Sequence, residues 1–294
     1  MRVNPNPMPD LLAALNQTQL EVQQAELQIS TGKSVNVPSD NPTAAALLIE
    51  NNDQATFTGG YLQSLTSVQG QFSTADATLS SITSALQQAL SLGVEAGGGT
   101  LSTSDLTAIA TQLQGIQSQL VSLANTAYEG NYIFAGTATT TPPFLAAGTP
   151  SGVHYVGNAE VNEVAVGSGY KIAVNVPGSQ LFSASGNDMF LAVSSLIQAV
   201  QNNSGIPAAV NALSAASTYL SSQRVLYGNA MEQATAQTTD LNSEQLQITE
   251  QHTTLAAANL PAAATDLSQA QTDSQAALAA IAKFSQDNLF NYLT

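Results

Sequence analysis

Val210, Leu213, Ser217, Leu220, Arg224, Tyr227, Met231, Ala234, Thr238, Leu241, Gln245, Ile248, His252 and Leu255 follow one another in steps of three and four. An α-helix has about 3.6 residues per turn, so this alternation keeps every one of them on a single face. Globular helices average about 11–12 residues, and a run of this length predicts a rod, not a helix of an ordinary core. Asn259 and Pro261 interrupt it.

The same period occurs twice more. Leu65, Val68, Phe72, Ala75, Leu79, Ile82, Leu86 and Ala89 form the cleanest stripe, which ends at Gly93 or at the glycines 97–99. Ser102 or Ser104 then caps a helix carrying Leu106, Ile109, Leu113, Ile116, Leu120 and Leu123. A short glycine turn between two such helices predicts an antiparallel pair. The expected bundle core is Leu65, Val68, Phe72, Leu79, Ile82 and Leu86 on one helix and Leu106, Ile109, Leu113, Ile116 and Leu120 on the other.

Both chain ends carry weaker helical patterns. Leu11, Leu15, Thr18, Val22, Ala25 and Ile29 form an imperfect stripe that stops at Gly32, a residue suited to the left-handed helix terminus. The prolines at 5, 7 and 9 place the start of this helix near Asp10. Pro38 keeps the chain extended, and Ser39 or Asp40 is expected to cap a second helix with Pro42 in its first turn. At the other end, Leu267, Leu278, Ile281, Phe284 and Leu289 continue helically, with polar Gln271 and Ser274 on the same stripe. Gly32, Pro38, Asp40 and Pro42 thus mirror Asn259 and Pro261. Each group separates a weak terminal helix from a strong central one, as a pair of inter-domain hinges would.

Between the helices, YIFAG, VHYVG, EVAVG and YKIAVNV are punctuated by Gly, Pro and Thr and read as short strands and turns. The expected fold is mainly α, a long antiparallel helical bundle built from both chain ends with one small β-rich insert. Its domains would be 1–42 with 259–294, 43–130 with 188–258, and 131–187. Joining ends so far apart costs about 5 kcal/mol of loop-closure entropy. The terminal helices should therefore pair last, on a bundle already folded. Isolated helices are marginal in water, so residues 1–40 and 260–294 are expected to order only when neighbours supply apolar partners.

Composition narrows the function. Only 9% of residues are charged, against about 25% in typical globular proteins. Amide, hydroxyl and methyl surfaces are cheap to desolvate, which suits a protein packed against copies or partners. The net charge is −15, and Arg2, Lys33, Lys171, Arg224 and Lys283 are the whole basic complement. No nucleic-acid partner and no membrane insertion are expected. There is no Cys, hence no disulfide or thiolate metal site. The opening MRVNPNPMPD has no apolar segment of the secretory kind, so export would use an uncleaved signal.

The stretch ISTGKSVNVPSDNP resembles the N-terminal signature of bacterial flagellins and their relatives. YEGNYIFAGTATTTPPF resembles the point where hook–filament junction proteins leave their helical domain for their β domain. NVPGSQLF resembles the exit from that domain. The tail LAAANLPAAATDLSQAQTDSQAALAAIAKFSQDNLFNYL resembles the family's C-terminal helix. The resemblance implies a structural subunit exported unfolded through the flagellar type III apparatus. It would assemble as a homo-oligomeric layer at the hook tip, between the first hook-associated junction protein and flagellin, as a mechanical adaptor outside the cell. It also implies a cytoplasmic export chaperone. The alternatives are a flagellin filament subunit or an exported coiled-coil adhesin or translocator.

No constellation for catalysis stands out, so no enzyme and no cofactor are expected. His154 lies in a strand-like stretch and His252 on the long stripe, without further metal ligands at suitable spacing. Glu160 and Glu163 lack a companion base or nucleophile and read as a solvated edge. Arg224 on the seam either meets a carboxylate from another helix or extends to solvent.

Overall fold

The computed structural model describes residues 8–293, with side chains as far as Lys283. In chain order the helices are α1 (Met8–Thr31), α2 (Pro42–Ala96), α3 (Thr103–Ala124), the single turn α4 (Gly178–Leu181), α5 (Met189–Gln201), α6 (Ile206–Ala256) and α7 (Leu260–Leu293). Six short strands separate α3 from α4: β1 (Ala127–Tyr128), β2 (Asn131–Tyr132), β3 (Phe144–Ala146), β4 (Val153–Tyr155), β5 (Glu163–Gly167) and β6 (Tyr170–Ala173). The chain divides into two compact units, one of residues 1–57 with 244–294 and the other of residues 58–243.

In the larger unit every expected bundle-core residue is buried: Leu65, Val68, Phe72, Leu79, Ile82 and Leu86 of α2, and Leu106, Ile109, Leu113, Ile116 and Leu120 of α3. The α2 and α6 segments of this unit run antiparallel. Phe72 meets Tyr227 edge-on at 6.0 Å, and the Arg224 guanidinium donates to both oxygens of Asp76 at 2.9 and 3.0 Å. Arg224 therefore takes the first of its two expected roles. Ser102, not Ser104, caps α3: its hydroxyl accepts from the Asp105 amide while the Asp105 carboxylate accepts from the Ser102 amide. Asp188 caps α5, and burial pushes its carboxyl above the usual carboxylate range.

The β region forms three separate antiparallel hairpins, β1–β2, β3–β4 and β5–β6, each a two-stranded sheet. Two-stranded ribbons are marginal alone, and these share the core of the helices. Phe134, Phe144, Phe182 and Phe190 are buried together, with ring centres 5.0 to 5.6 Å apart along the chain of contacts. Gly178 makes this possible: a Cβ there would lie 2.7 Å from the Phe144 ring and 2.8 Å from the Phe134 carbonyl oxygen.

In the smaller unit α1 packs on α7. The first turns of α2 and the last turns of α6 complete it.

Candidate functional site

The two chain breaks lie together. Gly32 ends α1 with φ +68°, its amide donating to the Gln28 carbonyl at 2.9 Å. Only a residue without Cβ adopts this conformation freely. The Ser34 amide then donates to the Ala256 carbonyl at 2.7 Å, and the Ala258 amide returns a bond to the Gly32 carbonyl at 2.9 Å. Lys33 and Ala257 thereby form an isolated antiparallel bridge. The Ser34 hydroxyl adds bonds to the Leu255 and Ala256 carbonyls. Exit from α1 and exit from α6 are thus stitched, so each break satisfies orphan backbone groups of the other.

The loop that follows is built from its own residues. Pro38 occupies the second position of a turn closed by the Asp40 amide on the Val37 carbonyl at 3.0 Å. The Asp40 carboxylate accepts from the Asn36 and Val37 amides at 2.9 and 3.0 Å. It does not cap α2, and neither does Ser39. Pro42 is the first helical residue, which moves the cap to Asn41, whose side-chain oxygen accepts from Ala44 at 3.0 Å. Asn259 repeats the device for α7, accepting from the Ala262 amide at 3.2 Å, with Pro261 in the first turn where no donor is required. Pro9 sits likewise in the first turn of α1, which the structure describes from Met8 and not from Asp10.

The α1–α7 seam differs in part from the expected one. Leu11, Leu15 and Val22 are half-buried around fully buried Ala25, but Ile29 turns outward at 38% exposure and Gln28 takes its place. On α7 the inward stripe is Ala263, Leu267, Ala270, Ser274, Ala277 and Ile281; Leu278 is half exposed and Gln271 exposed. Alanines at the crossing let the helix axes approach closely, which larger side chains would prevent. The phases of Ile29 and Leu278 follow from this close approach, since each lies one position off the residue that meets the partner. Phe284 and Leu289 lie outside the residues whose side chains are described. Ala25 stands on the expected α1 stripe, whereas the buried Ala263 and Ala270 of α7 are residues that reading for large apolar side chains passes over; they stand seven apart with Leu267 between them, and that spacing is the signal that finds them.

A groove along this seam, of about 360 Å³, is lined by Glu21, Gln24, Gln28, Asp266, Gln269 and Asp273 beside the alanines. Its carboxylates take amide donors from their own helices, Gln17 to Glu21 at 2.9 Å and Gln269 to Asp273 at 3.0 Å. Among the described residues no His, Asp and Glu group together as a metal site would require. His154 is exposed, and Glu160 and Glu163 serve Thr137 and Lys171. No described helix is long and apolar enough to cross a membrane.

Comparison with known proteins shows a broad similarity first. Residues 7–139 match the bacterial flagellin N-terminal helical region, which takes in α1, the first of the two chain breaks, α2, α3 and the first hairpin. More narrowly, the chain is 35% identical over 174 residues to flagellar hook-associated protein 3 of Salmonella typhimurium, covering 59% of this chain and 54% of that one. It spans about half the length of the curated relatives it matches. Among solved structures, its fold is similar to that of Bacillus cereus FlgL (TM-score 0.58, 20% identity, 70% of this chain and 99% of that one). The fold is also similar to that of Xanthomonas campestris FlgL (TM-score 0.55, 15% identity, 61% and 92%). The stretch ISTGKSVNVPSDNP lies inside the segment that matches the flagellin N-terminal helical region.

Proposed function

We propose that this chain is a structural subunit of the bacterial flagellum that joins hook to filament. The observation that carries this reading is the 35% identity to hook-associated protein 3 over a segment of 174 residues. The structure supports the role physically. Terminal helices paired through alanines and half-buried leucines leave much apolar surface for neighbouring subunits, and stitched breaks fix where that pair leaves the long helices. Gly32, Pro38, Asp40, Pro42, Asn259 and Pro261 lie inside the smaller unit and not at its division from the larger one, so on this reading they set how the terminal pair leaves the long helices. Leu11, Leu15, Val22, Leu267 and Ile281 hold the terminal pair.

The chain is no enzyme on this reading. It is exported unfolded, without a cleaved signal, held by a cytoplasmic chaperone, and assembles outside the cell as a homo-oligomeric layer. The first hook-associated junction protein lies on one side and flagellin on the other. Absence of cysteine and low charge suit passage through a narrow channel. Electron microscopy of a strain lacking the gene tests the role. Intact hooks without filaments, with flagellin shed into the medium and filaments restored by the gene, are expected. Hooks that keep normal filaments would defeat it.

A further inference from the structure

Four glycines lie inside α2, at positions 59, 60, 70 and 93. Two are required by a neighbour. A Cβ on Gly70 would run into the Tyr128 hydroxyl, and one on Gly93 would lie 2.8 Å from a Val210 methyl group. Gly59 and Gly60 are exposed, and a Cβ on either meets nothing within 4 Å. Both keep a negative φ. Neither packing nor turn geometry therefore calls for glycine at these two positions. Their effect is on the helix itself. Each interior glycine favours local opening about fivefold over alanine, and the pair about twenty-five-fold. Helix kinks concentrate at pairs of such small residues.

The surroundings lack the apolar burial that would offset this. The inward heptad position of α2 is held by Leu65, Phe72, Leu79 and Leu86 on one side of the glycines, and by Thr58 and Asn51 on the other, all of them buried. The division of the chain into its two compact units falls between Phe57 and Thr58, directly before the pair. α6 crosses the same division between Ser243 and Glu244. Of its residues 238–245 only Leu241 is apolar, and Thr, Asp, Asn and Ser are weak helix formers. The hydroxyls of Thr238, Thr239 and Ser243 donate to the carbonyls four residues back at 2.8, 3.1 and 3.0 Å, a contact that bends helices. Both helices run unbroken through these stretches, so the weakness is one of stiffness and not of secondary structure.

We propose that α2 yields at Gly59 and Gly60, with residues 238–245 of α6 yielding too, so that the chain carries a bending joint at the division of its two units. The breaks at Gly32 and Asn259 lie away from that division and do not supply it. The use of such a joint, letting one unit tilt while the other stays seated in its layer, rests on the junction role proposed above.

The chain has no native cysteine, so paired spin labels test this on the full-length protein. Asp53→Cys with Ser81→Cys spans the glycines, and Gln63→Cys with Ser91→Cys lies wholly beyond them. All four positions are exposed, and the members of each pair stand 28 residues apart, about 42 Å along a straight helix. Double electron–electron resonance is expected to give the spanning pair a distance distribution about twice as wide as that of the control pair. Gly59→Ala with Gly60→Ala is expected to narrow it to the control width. Both methyl groups enter open space, so this variant keeps its fold. Equal widths for the two pairs before the alanines are introduced overturn the joint. A width that the alanines leave unchanged also overturns it, since the motion would then belong to the end of α2. Filament restoration in the deletion strain reads the junction role separately. A chain that restores filaments but shows equal widths loses the joint and keeps the role. A chain that shows the joint but restores no filaments keeps the joint and loses the role.

Discussion

Tyr227 shows how much one side chain decides. Its ring is buried against Phe72, and its hydroxyl oxygen accepts from the Val176 amide at 3.2 Å, tying α6 to the segment after β6. Burial raises its pKa well above the ordinary 10.0. A group with a raised folded pKa contributes stability that is complete below the unfolded value and is lost as pH climbs towards the folded one. Unfolding free energy should therefore be flat in this contribution to about pH 10 and fall above it. Tyr227→Phe should remove that alkaline fall and cost about 1–3 kcal/mol by orphaning the Val176 amide, as urea titrations across pH would report. The Asp76–Arg224 pair is different. Both side chains are at least a third exposed, so Arg224→Ala should cost at most about 1 kcal/mol, and high salt should shrink the difference.

At the scale of elements, small residues control where helices and hairpins meet. Gly178→Ala would drive a methyl group into the Phe144 ring and the Phe134 carbonyl. Overpacking of this kind costs about 1–3 kcal/mol, visible as a lowered thermal midpoint and a changed near-ultraviolet circular dichroism of the phenylalanine cluster. Asn51 gives the opposite case. Asn51→Leu replaces an unpartnered buried amide on the α2 seam and should stabilise the isolated protein by about 1 kcal/mol, measured by chemical denaturation. Polar residues recur on this stretch of α2, with Asn51 and Thr58 buried where Leu65, Leu79 and Leu86 stand further along the same helix. A seam that gives up apolar burial in this way specifies register at the expense of strength.

For the molecule as a whole, burial is uneven. Ala25 is the only fully buried residue of α1, and on α7 Ala263 and Ala270 are the fully buried ones among the described side chains. The larger unit holds the phenylalanine cluster and the unbroken leucine seam of α2. Local opening energies follow buried apolar contact. Hydrogen exchange on dilute monomer should therefore find α1 and α7 exchanging fast, and α3, α5 and the Leu65–Ala89 stretch of α2 slowly. Uniformly slow exchange through both ends would contradict the view that these helices order fully only on assembly.

The sequence by itself determined the elements. Heptad spacing marked α2, α3 and α6, and Gly32, Pro42, Asn259 and Pro261 marked where helices stop and start. These are short-range effects, set by 3.6-residue periodicity and by backbone chemistry within a turn or two. Even the cap of α2 was within reach, because Pro42 at the first helical position leaves Asn41 as the cap. Tertiary structure decided what lies between distant residues. It chose Asp76 as the partner of Arg224, joined Ser34 to Ala256, and turned Ile29 and Leu278 outward while Ala25 and Ala270 went in. Such choices depend on how closely two helices approach. A helix such as α1, with apolar residues on two faces, carries no local record of which face its own chain will cover.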